Sequence, residues 1–161
     1  MTIRLYKDSD LQILKDITAI CFDGVCIDQN IEQRFGVIGG KTWQWRKIRH
    51  IDADVEANAE GIFVAEENGV VIGYITTRID HGSKIGGIPN IGVLPVYRGR
   101  KIGHQLMQTA LEYFREEGME YAKIETLDQN DIGSSFYPRT GFEEVARQIH
   151  YAMPLNDPEE T

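Results

Sequence analysis

Alternating segments and longer apolar stripes divide the chain into strands and helices. Residues 2–6 alternate between polar and apolar positions, which indicates a strand. Asp8 and Asp10 then provide caps for a helix, and residues 31–35 and 43–48 are predicted to be helical on either side of three glycines. The apolar face of the first helix consists of Leu11, Leu14, Ile17 and Cys21.

From Gly61 onward the pattern changes to strands. Residues 62–65 and 70–79 are apolar runs on either side of Asn68-Gly69. An Asn-Gly pair between two such runs predicts a tight hairpin. A glycine-broken stretch then leads to another strand, which ends at residues 90–93 before Pro95.

The last third of the chain predicts a long helix, a strand, a short helix and a final strand. The long helix ends at Gly118, and the next two elements cover residues 121–127 and 131–137. The final strand covers residues 142–153, and we expect residues 154–161 to form a frayed acidic tail. The stripe of the long helix consists of Ile102, Leu106, Ala110, Leu111 and Phe114, and Val145, Ile149, Tyr151 and Met153 share one face of the final strand. The whole pattern predicts a single α/β (α+β) domain over residues 1–153.

Composition and charge narrow the functional classes. The chain has 161 residues, about one domain, with 17 basic and 25 acidic residues and a net charge of −8. This charge disfavours nucleic acid as a partner and favours cationic ligands. No apolar run approaches the ~18 residues of a membrane span, and charges occupy the N-terminus where a signal peptide would be apolar. Two cysteines, Cys21 and Cys26, fit a reducing cytoplasm, where we expect the protein to reside.

Residues 93–103, Val-Leu-Pro-Val-Tyr-Arg-Gly-Arg-Lys-Ile-Gly, carry the most informative chemistry. They run from a strand end through a basic, glycine-bearing turn into the long helix. The first N–H groups of a helix lack intrahelical partners and lie at its positive end, which suits a phosphate. A solvated basic helix start without a ligand is the alternative. The segment contains neither GxxxxGK[ST] nor GxGxxG, so standard nucleotide motifs do not fit.

This segment resembles motif A of the GNAT superfamily of N-acetyltransferases. In that family a strand ending V-x-P is followed by [RQ]-x-x-G-x-[GA], whose backbone binds the pyrophosphate of acetyl-CoA. Lys101 replaces the first motif glycine, and it can still donate its N–H if its φ is helical. The resemblance implies a mixed, mostly antiparallel sheet flanked by helices. It also implies that acetyl-CoA contacts Ile91, Val93, Arg98, Gly99, Arg100, Lys101, Ile102, Gly103, Asn130 and Tyr137.

A second match follows with the expected order and spacing. Residues 130–137 and 140–142 are similar to the family's N-x-x-A-x-x-x-Y-x-x-x-G-F segment. Gly133 replaces the usual alanine, and Pro138 follows the tyrosine directly. The resemblance as a whole covers roughly residues 61–153, and the predicted first strand and first helix agree with it.

By this resemblance Tyr137 is the general acid that protonates the leaving thiolate. The alternative is a core tyrosine whose hydroxyl is already hydrogen-bonded. Glu125 is the candidate base, because it matches the L-E-V-x-x-x-N pattern of GNAT enzymes that acetylate protein N-termini. An exposed or structural glutamate is the alternative there. Asn130 either contacts CoA or caps the short helix.

Two further regions decide between functional classes. Residues 41–50 mix two tryptophans with basic residues, as a nucleic-acid surface would, but acidic residues follow at once. An amphipathic helix lining or covering the acceptor cleft is favoured for this segment. The four histidines show no metal-ligand spacing, so we expect no metal.

Three hypotheses remain. The first is an acetyl-CoA-dependent N-acetyltransferase acting on a primary amine of a small molecule, a protein N-terminus or a lysine. The second is a catalytically silent CoA-binding module, and the third is a nucleic-acid-binding domain. A homodimer stays open, and no membrane partner is expected.

Overall fold

Seven strands and five helices form the chain in the computed structural model, which describes residues 1–155. The strands are β1 (Thr2–Leu5), β2 (Phe63–Glu67), β3 (Val70–Ile75), β4 (Arg78–Asp80), β5 (Ile85–Ile88), β6 (Ile91–Val93) and β7 (Tyr121–Ile124). The helices are α1 (Leu11–Cys21), α2 (Ile27–Phe35), α3 (Trp43–Asn58), α4 (Ile102–Glu116) and α5 (Asp131–Arg139).

The strands form two sheet halves that part at one place. One half has the order β1-β2-β3-β6 with antiparallel neighbours, and the other has the order β4-β5-β7, in which β5 and β7 run parallel. β4 follows β3 after two residues, and β6 follows β5 after two residues. The chain therefore passes from the first half to the second after β3 and returns to the first half after β5. The predicted mixed, mostly antiparallel sheet flanked by helices is confirmed.

The predicted strand over residues 70–79 is interrupted after β3, and the one ending at residue 93 is interrupted before β6. At these breaks Thr76 and Asn90 bond to each other, since the Thr76 N–H donates to the Asn90 carbonyl at 2.9 Å and the Asn90 N–H donates to Thr76 Oγ1 at 3.0 Å. A side chain thus replaces one backbone acceptor of the ladder. This replacement ends the regular pairing at the place where the two halves diverge, and a hydrophobic pattern alone does not reveal it.

Helices cover both faces of the sheet. On one face α4 buries Ile102, Leu106, Ala110 and Phe114, which confirms the predicted stripe. On the other face α1 and α3 bury a second cluster that includes Leu14, Ile17 and Ile51. Burying each of the larger side chains among them, the Ile, Leu and Phe residues, contributes about 1.5–3 kcal/mol, so the two clusters hold the helices on opposite faces.

The region between α1 and β2 is more helical than predicted. Helix α2 begins four residues earlier than residue 31, and α3 continues ten residues beyond residue 48. Glu32 of α2 accepts the first N–H of α3, from Trp43, at 3.0 Å. Lys15 and Asp52 then pair α1 with α3 at 2.9 Å. These tertiary contacts extend helices that the local pattern shows only in part.

The predicted final strand over residues 142–153 is wrong. Phe142 is half-buried, but the chain after it is exposed and, within residues 1–155, forms no strand. The four residues expected to share a buried face, Val145, Ile149, Tyr151 and Met153, are all strongly exposed. The physical reason is that this segment has the alternation of a strand, but no strand within residues 1–155 pairs with it. Most of the predicted tail, residues 156–161, lies outside the described residues.

None of the helices within residues 1–155 combines the length and the apolar character that a membrane crossing requires.

Candidate active site

The start of α4 presents backbone donors without helical acceptors. The first intrahelical hydrogen bond runs from the Gln105 N–H to the Lys101 carbonyl at 3.0 Å, and within the described chain no side chain caps this end. The amides of Ile102, Gly103 and His104 precede that bond. They lie at the positive end of a 15-residue helix, a place that favours an anion.

The turn before α4 depends on two residues with positive φ. Gly99 has φ +82°, which a glycine adopts readily. Lys101 has φ +62° and ψ +19°, which lies in the left-handed region and not in the right-handed helical one. A glycine, which the resembled motif has at this position, would adopt this φ without a Cβ. A side chain in this region costs roughly 1–2 kcal/mol.

Two of the three predicted cations are engaged within the chain. Arg100 pairs with Glu67, with 3.1 Å between Nη1 and Oε2, and lowers the pKa of that carboxyl. Arg98 donates from Nε to the Val93 carbonyl at 3.1 Å. A phosphate at the start of α4 would therefore compete with existing partners for both guanidinium groups.

The outer edge of β6 faces away from β3. The Asn90 carbonyl and the Leu94 N–H bond to β3 and its extension, at 2.9 Å each. Because successive residues of a strand direct their polar groups to opposite sides, Ile91 and Val93 direct theirs away from β3. The structure therefore places these two predicted residues along the edge where the sheet halves part.

Tyr137 lies in α5, on the α4 face of the sheet. Burial raises the pKa of Tyr137 to about 12, and its ring packs edge-on against Phe136 and Phe142, with centroids 5.5 and 6.2 Å apart. Within residues 1–155 its hydroxyl has no hydrogen-bond partner, and because no buried side-chain polar atom there is unpaired, this hydroxyl reaches solvent. The alternative of a bonded core tyrosine requires a partner within the chain. A neutral, unengaged hydroxyl is what a proton donor needs.

Asn130 and Gly133 build the start of α5. Asn130 caps the helix, since its Oδ1 accepts the Gly133 N–H at 3.1 Å, and its Nδ2 donates to Thr126 Oγ1 at 2.9 Å. A Cβ on Gly133 would lie 2.9 Å from both of those side chains and 3.0 Å from the Tyr137 ring. The glycine at this position, where the resembled motif has alanine, therefore makes room for the hydrogen bond beside Tyr137.

Glu125 directly follows β7 and stands on the other face of the sheet. Its side chain is 74% exposed and pairs with Lys123 Nζ at 3.0 Å. Ala122 and Ile124 pack against the α4 side, so strand alternation directs Lys123 and Glu125 away from it. Glu125 borders a cavity of about 330 Å³ whose lining includes Arg78, Ile88, Pro89 and Lys123.

A buried polar cluster beside this cavity was not predicted. Asp54 of α3, 2% exposed, accepts hydrogen bonds from Thr76 Oγ1 at 2.9 Å, Asn90 Nδ2 at 2.7 Å and Arg78 Nη2 at 2.8 Å. Lys47 donates to Asn90 Oδ1 at 2.8 Å. We call these five residues the Asp54 cluster. The cluster holds together the two strand breaks at which the sheet halves separate.

Lys47 is the unusual member of the cluster. Its ammonium lies 4.1 Å from the centre of the Phe22 ring, and burial lowers its pKa. The sequence does carry a signal for it, because positions 43, 47, 51 and 54 recur at helical spacing and all four are buried in α3. Two polar residues on an apolar helical stripe indicate a buried polar cluster.

Trp43 and Trp45 have different roles. Trp43 is buried in the core, whereas the half-exposed Trp45 ring lies against Lys41, Arg46 and Arg49 at 4.5–5.7 Å. Cations of its own chain thus already contact the ring that a nucleobase would stack on. Within residues 1–155, no group of three or more His, Cys, Asp or Glu side chains could hold a metal ion.

Comparison with known proteins identifies a family for most of the chain. The sequence profile of the acetyltransferase (GNAT) family matches residues 27–142. An aminoalkylphosphonate N-acetyltransferase of Salmonella typhimurium is 35% identical over 92 residues, which cover 55% of this chain and 57% of that protein. An N-alpha-acetyltransferase of Sulfurisphaera tokodaii is 34% identical over 100 residues, covering 55% and 60%. The chain thus spans less than two thirds of either relative.

A solved structure shows the same fold. The PaiA N-acetyltransferase of Thermoplasma acidophilum, in complex with coenzyme A, superposes with a TM-score of 0.70 at 20% identity. The superposition covers 88% of this chain and 89% of that one. At this identity the likeness is one of fold.

Proposed function

The chain belongs to the acetyltransferase (GNAT) family, and we propose that it transfers the acetyl group of acetyl-CoA to a primary amine within a ternary complex. One observation carries the proposal: the open amides at the start of α4 adjoin the outward-facing edge of β6. The residues fit the ligand, because a pyrophosphate needs N–H donors at a helix start and pantetheine amides need a free strand edge. Acetyl-CoA supplies an acetyl thioester when bound.

The binding residues divide by the chemistry that each offers. Backbone N–H groups of residues 99–103 would bind phosphate oxygens, with Arg98, Arg100 and Lys101 adding charge. Ile91 and Val93 would pair with the amides of the pantetheine arm through their outward polar groups. At the Val93 carbonyl a pantetheine amide would compete with Arg98 Nε and Cys21 Sγ, which lie 3.1 and 3.3 Å away. Asn130 would act mainly by capping α5, since both ends of its amide are engaged there.

Tyr137 would protonate the thiolate that leaves as the C–S bond breaks and the C–N bond forms. Its raised pKa keeps the hydroxyl protonated across the physiological range. Partial burial would also disfavour the charged form of a leaving thiolate, so it would raise the proton affinity of both groups. A positioned acid of this kind contributes roughly 10²–10⁴-fold in rate.

Glu125 would accept the proton of the incoming amine, directly or through a water. Free alkyl amines are mostly ammonium at neutral pH, so a proton must leave before attack. Glu125 stands on the face opposite α4 and borders the cavity at the strand break, so an amine could approach from that side. Lys123, which now pairs with Glu125, would have to turn away as a cationic acceptor arrives.

The acceptor class follows from charge and from the relatives. A net charge of −8 attracts cations. The two relatives are named for aminoalkylphosphonate and for N-alpha acetylation, which supports an amine acceptor on a small molecule or a protein N-terminus. The free thiols of Cys21 and Cys26 support a reducing, cytoplasmic setting.

Thiol release from acetyl-CoA tests the proposal. The full chain is assayed with DTNB across a panel of polyamines, aminoalkylphosphonates, aminoglycosides and peptides with a free N-terminus, and calorimetry measures CoA binding in parallel. Amine-dependent thiol release that Tyr137→Phe abolishes and Tyr121→Phe leaves intact supports the transferase. CoA binding without release for any amine would instead identify a silent CoA-binding module.

A further inference from the structure

Two cations flank a glycine on the face of the sheet that carries Glu125. Arg78 of β4 pairs in register with Gly87 of β5, and Gly87 pairs in register with Lys123 of β7. Residues directly opposite one another in a sheet direct their side chains to the same face. Because neighbouring strands lie about 4.8 Å apart, the backbones of the two cationic residues are about 10 Å apart. We call Arg78, Gly87 and Lys123 the cationic row.

The glycine leaves open space between the two cations. Within residues 1–155 a Cβ on Gly87 would have one atom from another strand within 4 Å, the Arg78 Cβ at 3.8 Å, which is an ordinary contact. Gly86 differs, because a Cβ there, on the opposite face, would collide with the Phe114 ring. Gly87 has no positive φ, so neither packing nor backbone conformation requires a glycine at this position. A glycine inside a strand often marks the close approach of a ligand.

Asp54 fixes one end of the Arg78 guanidinium and leaves the other end available. Arg78 Nη2 donates to Asp54 Oδ1 at 2.8 Å, and Thr76 and Asn90 hold the same carboxylate in place. In the described part of the chain neither Nε nor Nη1 of Arg78 has an acceptor, and the side chain is 45% exposed. A guanidinium binds a carboxylate or a phosphonate through paired N–H groups. Because Asp54 already orders this side chain, a ligand pays less of its conformational entropy.

The cationic row lines the cavity that Glu125 borders. Lys123 Nζ pairs with Glu125 Oε1 at 3.0 Å. An amine that replaces Lys123 at Glu125 releases this ammonium, so Arg78 and Lys123 then both face the space above Gly87. An acceptor that carries only positive charge leaves these two cations unbalanced, whereas an acceptor with an anionic group pairs with them.

We propose that the acceptor is a small zwitterionic amine whose oxyanion, a carboxylate or a phosphonate, binds over Gly87 between Arg78 and Lys123. This acceptor class rests on the proposed transferase function, because Glu125 receives the amine of the same molecule. Residues two positions apart on a strand are about 6.6 Å apart, so about two or three carbon atoms between amine and anion reach from Glu125 to the row. The net charge of −8 attracts the amine, and the two local cations select which amine is bound.

Matched acceptors test the requirement for an anion. β-Alanine and β-alaninamide have nearly the same size and differ in the anionic group, and 2-aminoethylphosphonate carries a phosphonate instead. In thiol release from acetyl-CoA, kcat/KM for at least one of the two anionic amines should exceed that of β-alaninamide by about tenfold or more. The better of the two identifies the preferred oxyanion. A value for β-alaninamide that equals or exceeds both overturns the proposal and leaves the proposed transferase function intact.

Two substitutions test the row itself. Lys123→Gln should raise KM for the preferred anionic amine by about tenfold and leave KM for β-alaninamide within about twofold. Gly87→Val should also raise KM for the anionic amine, because it fills the space above the strand, while the unfolding midpoint should not fall, since the Cβ has room and valine favours strands. Lys84→Gln removes the same charge from the turn before β5 and should change neither KM. An equal change for both amines in Lys123→Gln, or no change for either, overturns the proposal.

Binding separates this acceptor class from the transfer itself. Calorimetry in the presence of CoA measures the affinity of wild type and Lys123→Gln for β-alanine, 2-aminoethylphosphonate and β-alaninamide. If no amine releases thiol but an anionic amine binds to wild type and not to Lys123→Gln, the anion site is supported and the transferase function fails. If neither anionic amine binds more tightly than β-alaninamide, the anion site is overturned, whether or not thiol is released.

Discussion

The two faces of the sheet handle polar groups in opposite ways at the place where the halves part. On the α4 face the amides of residues 102–104 and the solvent-accessible Tyr137 hydroxyl lack partners within residues 1–155. On the α3 face the Asp54 cluster satisfies its members with one another, and no buried side-chain polar atom of the described chain lacks a partner. Polar groups without partners are available to a ligand, whereas polar groups that bond to one another fix the geometry of the site.

This difference assigns separate roles to the two faces. Leaving donors open costs stability, and so does the left-handed backbone at Lys101. The Asp54 cluster opposes these costs by tying α3 to both strand breaks. Variants on the α4 face should therefore change catalysis and binding, while variants of the cluster should first change stability.

Tyr137→Phe should have the largest effect, and on activity alone. Deleting the proton donor should lower kcat by roughly 10²–10⁴-fold while CoA affinity and the unfolding midpoint stay near wild type. Steady-state kinetics with calorimetry of CoA binding measures both. Because the pKa of Tyr137 is raised to about 12, the wild-type rate should show no alkaline loss from this group well below that pH. Near-normal turnover of the variant would show that another group protonates the thiolate.

Asp54→Ala should act mainly on stability. It removes the acceptor of three hydrogen bonds, one of them from the half-exposed Arg78, and should cost about 2–3 kcal/mol of unfolding free energy. This corresponds to a fall in Tm of roughly 5–10 °C for a chain of this size. Asp52→Ala, which breaks the exposed pair with Lys15, is the matched control and should cost below about 1 kcal/mol. Equal losses in the two variants would show that the cluster does not hold the breaks.

Hydrophobic periodicity accounts for most of the fold. The stripe of α4 and the hairpin at Asn68-Gly69 are local patterns, and both are present in the structure. The strand breaks are not a local feature of the sequence. They depend on hydrogen bonds that Asp54 accepts from Thr76 and Asn90, which lie 22 and 36 positions further along the chain. The prediction of a final strand over residues 142–153 is wrong for a related reason. Alternation shows that a segment suits a sheet, but it does not show whether a neighbouring strand is present.

Glu125→Gln should lower kcat/KM by about tenfold or more near neutral pH. Raising the pH should partly restore the rate, because more of the amine then arrives deprotonated. The pH–rate profile at saturating acceptor and at two ionic strengths measures this. If Glu125 only attracts a cationic acceptor, the loss lies in KM, weakens with salt, and keeps the same ratio to wild type across pH.

Gly103→Val should weaken CoA binding by about tenfold or more, which is about 1.4 kcal/mol. A Cβ at this position would lie 3.5 Å from the Phe136 ring, an ordinary contact, so the fold itself tolerates a small side chain. The steric conflict would be with the ligand. Calorimetry of CoA binding to Gly103→Ala and Gly103→Val should show a graded loss, with unfolding midpoints close to wild type. Unchanged affinity in a folded Gly103→Val protein would remove this site from consideration.

The parts of the candidate site that are formed by backbone groups were predictable from the sequence. Glycines and strand ends mark the start of α4 and the edge of β6, so residue spacing identifies them along the chain. Side chains that meet across the fold leave weaker marks: Lys47 and Asp54 show only as polar positions on an apolar stripe. The conformation of Lys101 was not predictable from its residue type, because lysine rarely adopts positive φ.

Lys101→Gly should have the smallest effect and should stabilise the protein. Glycine adopts φ +62° without the steric cost of a Cβ, so the unfolding free energy should rise by about 1 kcal/mol and Tm by roughly 2–4 °C. Lys101→Ala keeps that cost and removes only the charge, so it should leave Tm unchanged and weaken CoA binding slightly, less so at high salt. Lys84→Gly relieves the same φ of +62° in the turn before β5, far from the α4 amides, and should raise Tm without affecting CoA. If thermal unfolding shows a gain for Lys84→Gly but not for Lys101→Gly, the left-handed turn before α4 carries no strain, and the open face of the sheet is not maintained at a cost in stability.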